Sequence, residues 1–131
     1  MEINIIRGQN QIGGSIIEIS SKSTKIILDI GSNLEDKEIV VPEIEGLFEG
    51  EAKYDGVLIS HYHGDHVGLA TRILPEIQIY MGEKSYEIYK VSNEYMGKEY
   101  LKEPKIFKAE EEFFIGDIKI TPYLCDHSAF D

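Results

Sequence analysis

Residues 59–68 read Ile59-Ser60-His61-Tyr62-His63-Gly64-Asp65-His66-Val67-Gly68, placing three imidazoles and a carboxylate within six positions. The whole chain has four histidines, so this density is not scatter. A solitary histidine is usually a hydrogen-bonded core or surface residue. A cluster directly after an apolar strand is different, because so many polar groups are costly to gather without a cation to satisfy them. His61 and His63 stand two apart in an extended segment leaving a strand, which points both side chains the same way and lets two ring nitrogens grip one ion. Gly64 permits a sharp turn. Asp65 and His66, at the start of a helix, then face a second position beside the first, so two adjacent metals are geometrically feasible. Nitrogen and carboxylate donors favour Zn²⁺, with Mn²⁺ or Fe²⁺ as further candidates.

Working outward, strand patterns over residues 3–6, 15–19, 25–30 and 56–60 are separated by glycine-containing turns. Residues 33–50 are acidic and mixed; Pro42 is placed to open a short helix at 41–48, which Gly46 weakens. Downstream of the histidines the pattern predicts a helix over 65–74, with Asp65 as its N-cap and Pro75 as its stop, and a strand at 77–81. From Glu83 to Gly97 helical spacing predicts an amphipathic helix whose apolar stripe is Ile88, Val91 and Tyr95, widened by Tyr86, Tyr89 and Met96. Strands at 105–109, 112–115 and 118–124 follow, with Gly116-Asp117 as a hairpin turn and Glu110-Glu111-Glu112 as a solvated one. No internal repeat or linker interrupts this order. A length of 131 residues suits one α+β domain with one core.

The run His-Tyr-His-Gly-Asp-His resembles the HxHxDH signature of the metallo-β-lactamase superfamily. Ile27-Leu28-Asp29-Ile30-Gly31 resembles that superfamily's first motif, and Cys125-Asp126-His127-Ser128 its third. The resemblance implies a metallo-β-lactamase-like αββα sandwich of two similar halves. Residues 1–131 would hold the first half plus the start of the second, the N-terminal portion of a single domain whose C-terminal part is absent. It implies that His61, His63 and His127 hold a first metal, that Asp65 and His66 contribute to a second, and that Asp65 orients the attacking water or relays its proton. Three neutral imidazoles leave a fourth tetrahedral position for water, whose pKa zinc lowers toward about 7. Asp29, at a strand end, either supports the histidine loop by hydrogen bonds or is a turn aspartate. Asp126 and Ser128 flank a ligand and face the same two readings, while Cys125 reads as a small buried residue. Asp131 has ligand chemistry at an unsupported terminal position and is assigned no role.

The superfamily pattern continues to a bridging aspartate and a distal histidine that these residues lack. A metal-binding first site without full hydrolase activity is therefore expected of this chain alone. The opening Arg7-Gly8-Gln9-Asn10-Gln11-Ile12-Gly13-Gly14-Ser15, together with His66-Val67-Gly68-Leu69 and Asp126-His127-Ser128, is most similar to the nuclease branch of ribonuclease J and β-CASP type proteins. That similarity implies a parent protein that hydrolyses RNA phosphodiester bonds. The alternatives are a small-molecule ester, thioester or lactone hydrolase of the same superfamily, and a non-catalytic zinc-binding module.

Composition narrows the partners. A net charge of −11 argues against a broad phosphate-binding face, suits a metal-binding scaffold, and assigns most RNA contacts to regions outside this chain. The lone Cys125 excludes an internal disulfide. The start Met-Glu-Ile-Asn lacks a signal peptide's basic and apolar regions, and no apolar run approaches the roughly 20 residues of a membrane span. A cytoplasmic protein without a membrane partner is expected. An apolar sheet face left uncovered by a half-sandwich would promote a homo-oligomer or domain-swapped dimer.

Overall fold

The computed structural model describes residues 1–35 and 37–129. It is α+β, with a mixed sheet and few helices. Strands β1 (Glu2–Arg7), β2 (Ile16–Ser20), β3 (Lys25–Leu28), β4 (Gly56–Leu58), β5 (Ile79–Gly82) and β6 (Lys105–Phe107) lie side by side in that order. The first three form an antiparallel meander, and β3 to β6 run parallel. Parallel neighbours need crossover connections. Helix α1 (Gly64–Val67) with a 3₁₀ turn at Ala70–Arg72 makes the one between β4 and β5, and α2 (Glu83–Tyr95) the one between β5 and β6. Strands β7 (Phe113–Ile115) and β8 (Ile118–Ile120) form a separate hairpin.

Successive strand residues point to opposite faces, and here both faces of the central strands are buried. Ile27, Val57, Ile79 and Met81 pack with Val67, Leu69 and Tyr89 from the helical side. Ile26 and Leu58 pack with Ile115 and Ile118 of the hairpin. The hairpin covers the middle of its face but not the β1 edge, where Ile3 and Ile5 remain 66% and 44% exposed. Because β3 and β4 are parallel, with Leu28 opposite Leu58, their carboxyl ends deliver Asp29 and Ser60-His61 to the same edge of the sheet.

Three expected elements come out differently. Residues 41–48 form no helix: Gly46 has φ +82°, a left-handed conformation that ends any right-handed turn, and Leu47 is driven fully into the core. The helix over 65–74 is broken after Val67, and its N-cap is His63, with Asp65 inside the first turn. The Leu69 N–H that would close the next turn donates to the Ile30 carbonyl at 2.9 Å instead, and the Asp65 carbonyl is taken by the N–H groups of Gly14 and Ser15 at 3.1 and 3.3 Å. In α2 the buried face is Ser85 and Tyr89, while Ile88, Val91 and Tyr95 are 39%, 64% and 92% exposed. The tyrosines carry polar handles that the aliphatic residues lack. The Tyr86 hydroxyl donates to the Leu101 and Lys102 carbonyls at 3.0 and 2.8 Å, and the Tyr89 hydroxyl accepts the Leu101 N–H at 3.3 Å.

The last strand also stops early. Strand β8 ends at Ile120, ahead of Pro122, which has no N–H to give a ladder. Cys125 is consequently exposed and not, as expected, buried. Asp131 lies outside the described residues.

Candidate metal centre

Asp29 organises the centre. It is buried at a φ of +60°, a left-handed conformation that aspartate tolerates better than most residues. Its Oδ1 accepts the Ser60 N–H at 2.7 Å, and its Oδ2 accepts the Ser60 hydroxyl at 2.9 Å and His66 Nδ1–H at 2.7 Å. A carboxylate only accepts, so the single proton of Ser60 is committed to Asp29. The Ser60 oxygen, 3.0 Å from His61 Nδ1, therefore accepts from that nitrogen. His61 Nε2 is left with its lone pair, 3.0 Å from His63 Nδ1. The tautomer follows from the bonding and places an acceptor where a metal ligand is needed.

His127 completes the cluster from the segment after β8. One nitrogen from each of His61, His63 and His127 can be chosen so that all lie within 4.8 Å of one another. His61 is buried, His63 half-buried and His127 exposed, so the cluster opens to solvent on one side. His66 stands slightly apart: its ring centroid is 4.2 Å from that of His61, and its Nε2 is 3.3 Å from Asp65 Oδ2. With Nδ1–H donated to Asp29, that Nε2 is also a lone pair, and it faces a carboxylate oxygen. Two acceptors face to face call for a proton or a cation between them.

The histidine loop is held by backbone bonds to the segment after β3. Ile30 N–H donates to His66 O at 2.7 Å, and Ser32 N–H and Oγ both donate to Gly64 O at 2.9 Å. Burial, then the neighbouring His66, His63 and His127, push the His61 pKa down to about 4, with Asp29 opposing them. His61 is thus neutral at pH 7, as a ligand must be. Between roughly pH 6.5 and 4 the unfolded imidazole binds a proton that the folded one refuses. The metal-free chain is therefore expected to lose stability as pH falls through that window. Urea unfolding at successive pH values checks this, and His61→Gln should flatten the dependence.

All the histidines proposed from sequence meet here, and Asp29 is a hydrogen-bonding support and not a free turn residue. Ser128 borders the same recess as His61 and His127 without a side-chain hydrogen bond among the described residues, and Asp126 is exposed. Ser60 was missed by sequence reasoning. Its only signal was a hydroxyl directly before the first histidine. Two recesses flank the centre. One of about 290 Å³ is bordered by His61 and His127 with Phe107, Pro122, Tyr123 and Cys125. The other, of about 610 Å³, lies between α1 and α2 and is bordered by Tyr62 and His63.

No family model matches the chain. Over 142 aligned positions, 98% of the chain, it is 25% identical to Ribonuclease J of Helicobacter pylori. Over 105 positions, 76% of the chain, it is 33% identical to RNase aCSPSF2 of Saccharolobus solfataricus. The chain is similar to ribonucleases. It spans about a fifth of the length of these curated relatives, 21% of the first and 20% of the second. Among solved structures, a protein of unknown function from Enterococcus faecalis V583 shares the fold with a TM-score of 0.75 at 20% identity, covering 89% of this chain and 36% of that one. No described helix is long and apolar enough to cross a membrane.

Proposed function

We propose that this chain carries the metal-binding part of an RNA phosphodiester hydrolase of the metallo-β-lactamase and β-CASP type, most of whose length lies outside it. The observation that carries the reading is the convergence of His61, His63 and His127 within 4.8 Å, in a chain whose relatives are ribonucleases. The donor set fits zinc: three imidazoles, one of them held neutral and turned by the Asp29–Ser60 bonds. When bound, zinc supplies Lewis acidity and brings the pKa of a water down to about 7. Asp65 and His66, lone pair against carboxylate, would hold a second ion. Asp65 would accept the proton released as the water oxygen bonds to phosphorus, and would return it to the leaving-group oxygen as the bond from that oxygen to phosphorus breaks.

Metal analysis after dialysis tests the assignment. The chain is expected to retain about one zinc, and the His61→Ala, His63→Ala double variant essentially none. A variant that keeps its zinc overturns the ligand set. Zinc-dependent cutting of a labelled single-stranded RNA, weak in this chain and lost in the variant, is the accompanying expectation. The smaller recess favours a second reading, because Phe107, Ala109, Pro122 and Tyr123 offer an apolar acyl-sized wall beside His61 and His127. Hydrolysis of a short-chain thioester in place of RNA would select that small-molecule enzyme.

A further inference from the structure

The 610 Å³ recess begins at the metal centre itself, because His63 belongs both to the triad and to its wall. Its size is within the roughly 300–1,000 Å³ of small-ligand sites. Tyr62 supplies aromatic surface at the same end, with its ring centroid 4.7 Å from that of His63. Farther along, Arg72 at the end of the 3₁₀ turn and Lys98 just past α2 both line the recess. Neither is in an ion pair among the described residues, whereas Lys25, Lys53, Lys84 and Lys119 are each paired with a glutamate. Glu99 lies on the same wall and leaves the recess with one net positive charge. The smaller recess beside the triad has no lysine, arginine or carboxylate in its lining.

We propose that the larger recess holds the nucleotide flanking the scissile bond of a single-stranded RNA, its phosphate between Arg72 and Lys98 and its base against Tyr62. The assignment rests on the nuclease reading above. Aromatic surface joined to cations is how single strands are held without regard to sequence. The net charge of −11 does not forbid it. At physiological ionic strength charges are screened over about 8 Å, so a seated phosphate feels the recess and not distant carboxylates. The acidic surroundings slow its approach and keep the affinity of this chain alone low.

The test is fluorescence anisotropy of a fluorescein-labelled hexa-adenylate with the zinc-loaded chain, between about 50 and 200 mM salt. Wild type is expected to bind with a clear salt dependence. Arg72→Ala, Lys98→Ala should weaken binding about tenfold and reduce the log–log salt slope by about 0.7 for each phosphate that is no longer neutralised. Tyr62→Leu should weaken binding and leave the slope unchanged. Zinc content, expected to be the same in all of these proteins, shows that the centre is intact. No binding by wild type, or binding and slope that the double variant leaves unchanged, overturns the recess. The nuclease reading is judged separately, by the zinc and RNA-cleavage measurements on the histidine variant.

Discussion

Replacing Gly31 with alanine is expected to destabilise the chain by about 3 kcal/mol or more and to abolish its metal binding with it. A β-carbon at this position would lie 1.7 Å from the Asp65 carbonyl oxygen, 2.3 Å from its carbon and 3.0 Å from the His66 nitrogen. These are backbone atoms, so no side chain can rotate away. The oxygen is also pinned, accepting hydrogen bonds from Gly14 and Ser15. Relief requires moving the whole 64–66 turn, which breaks the Ile30–His66 and Ser32–Gly64 bonds and carries His63 and His66 out of place. Gly64→Ala is the control from the opposite side of the same contact. Its β-carbon would meet only Ser32 Oγ, at 3.8 Å, and alanine is a better helix former than glycine by up to about 1 kcal/mol. Urea titration should show Gly31→Ala far below wild type and Gly64→Ala level with it or above. Equal effects would mean that the close approach of segments 30–32 and 64–69 does not hold the centre together.

How much of this was legible beforehand depended on the range of the interaction. Candidate metal donors stand out in a sequence because coordination needs particular atoms, and His61 and His63, two positions apart, offer ring nitrogens that the structure brings together with one from His127. Strand positions were likewise legible from apolar runs such as 25–30 and 77–81, where the structure has strands at Lys25–Leu28 and Ile79–Gly82, while their order in the sheet was not. What failed was decided at a distance. Helical spacing gave α2 a stripe of Ile88, Val91 and Tyr95 widened by Tyr86, Tyr89 and Met96, of which the structure packs only Tyr89 and Tyr86 on the core, where their hydroxyls find backbone partners at Leu101 and Lys102. The helix after the histidines was cut short by the Ile30 carbonyl, a competitor that no local window contains. Ser60 looked like an ordinary strand residue until Asp29, 31 positions away, took its proton.

Asp29→Asn is expected to reverse the tautomer of His66 and to weaken metal binding about 10- to 100-fold, the usual cost of losing a support behind a ligand. Asparagine is the informative replacement because it also accepts the left-handed backbone at φ +60°, so local conformation is preserved. Its amide oxygen can still take the Ser60 N–H in place of Oδ1. Its NH₂ group then occupies the Oδ2 position, where it confronts two donors, the Ser60 hydroxyl and His66 Nδ1–H. The conflict is resolved if His66 moves its proton to Nε2 and accepts from the amide through Nδ1. The lone pair that faced Asp65 at 3.3 Å is then gone, and His66 can no longer ligate in that orientation. Ser60 loses its anionic acceptor as well, which frees its proton to point at His61 Nδ1 and disturbs that ring in the same sense. Nitrogen-15 correlation spectra of the imidazoles should show Nδ1–H for His66 in the wild type and Nε2–H in the variant. Competition against a zinc chelator should show the affinity falling in step. An unchanged tautomer with unchanged affinity would leave Asp29 as a fold residue whose bonds do not reach the ligands.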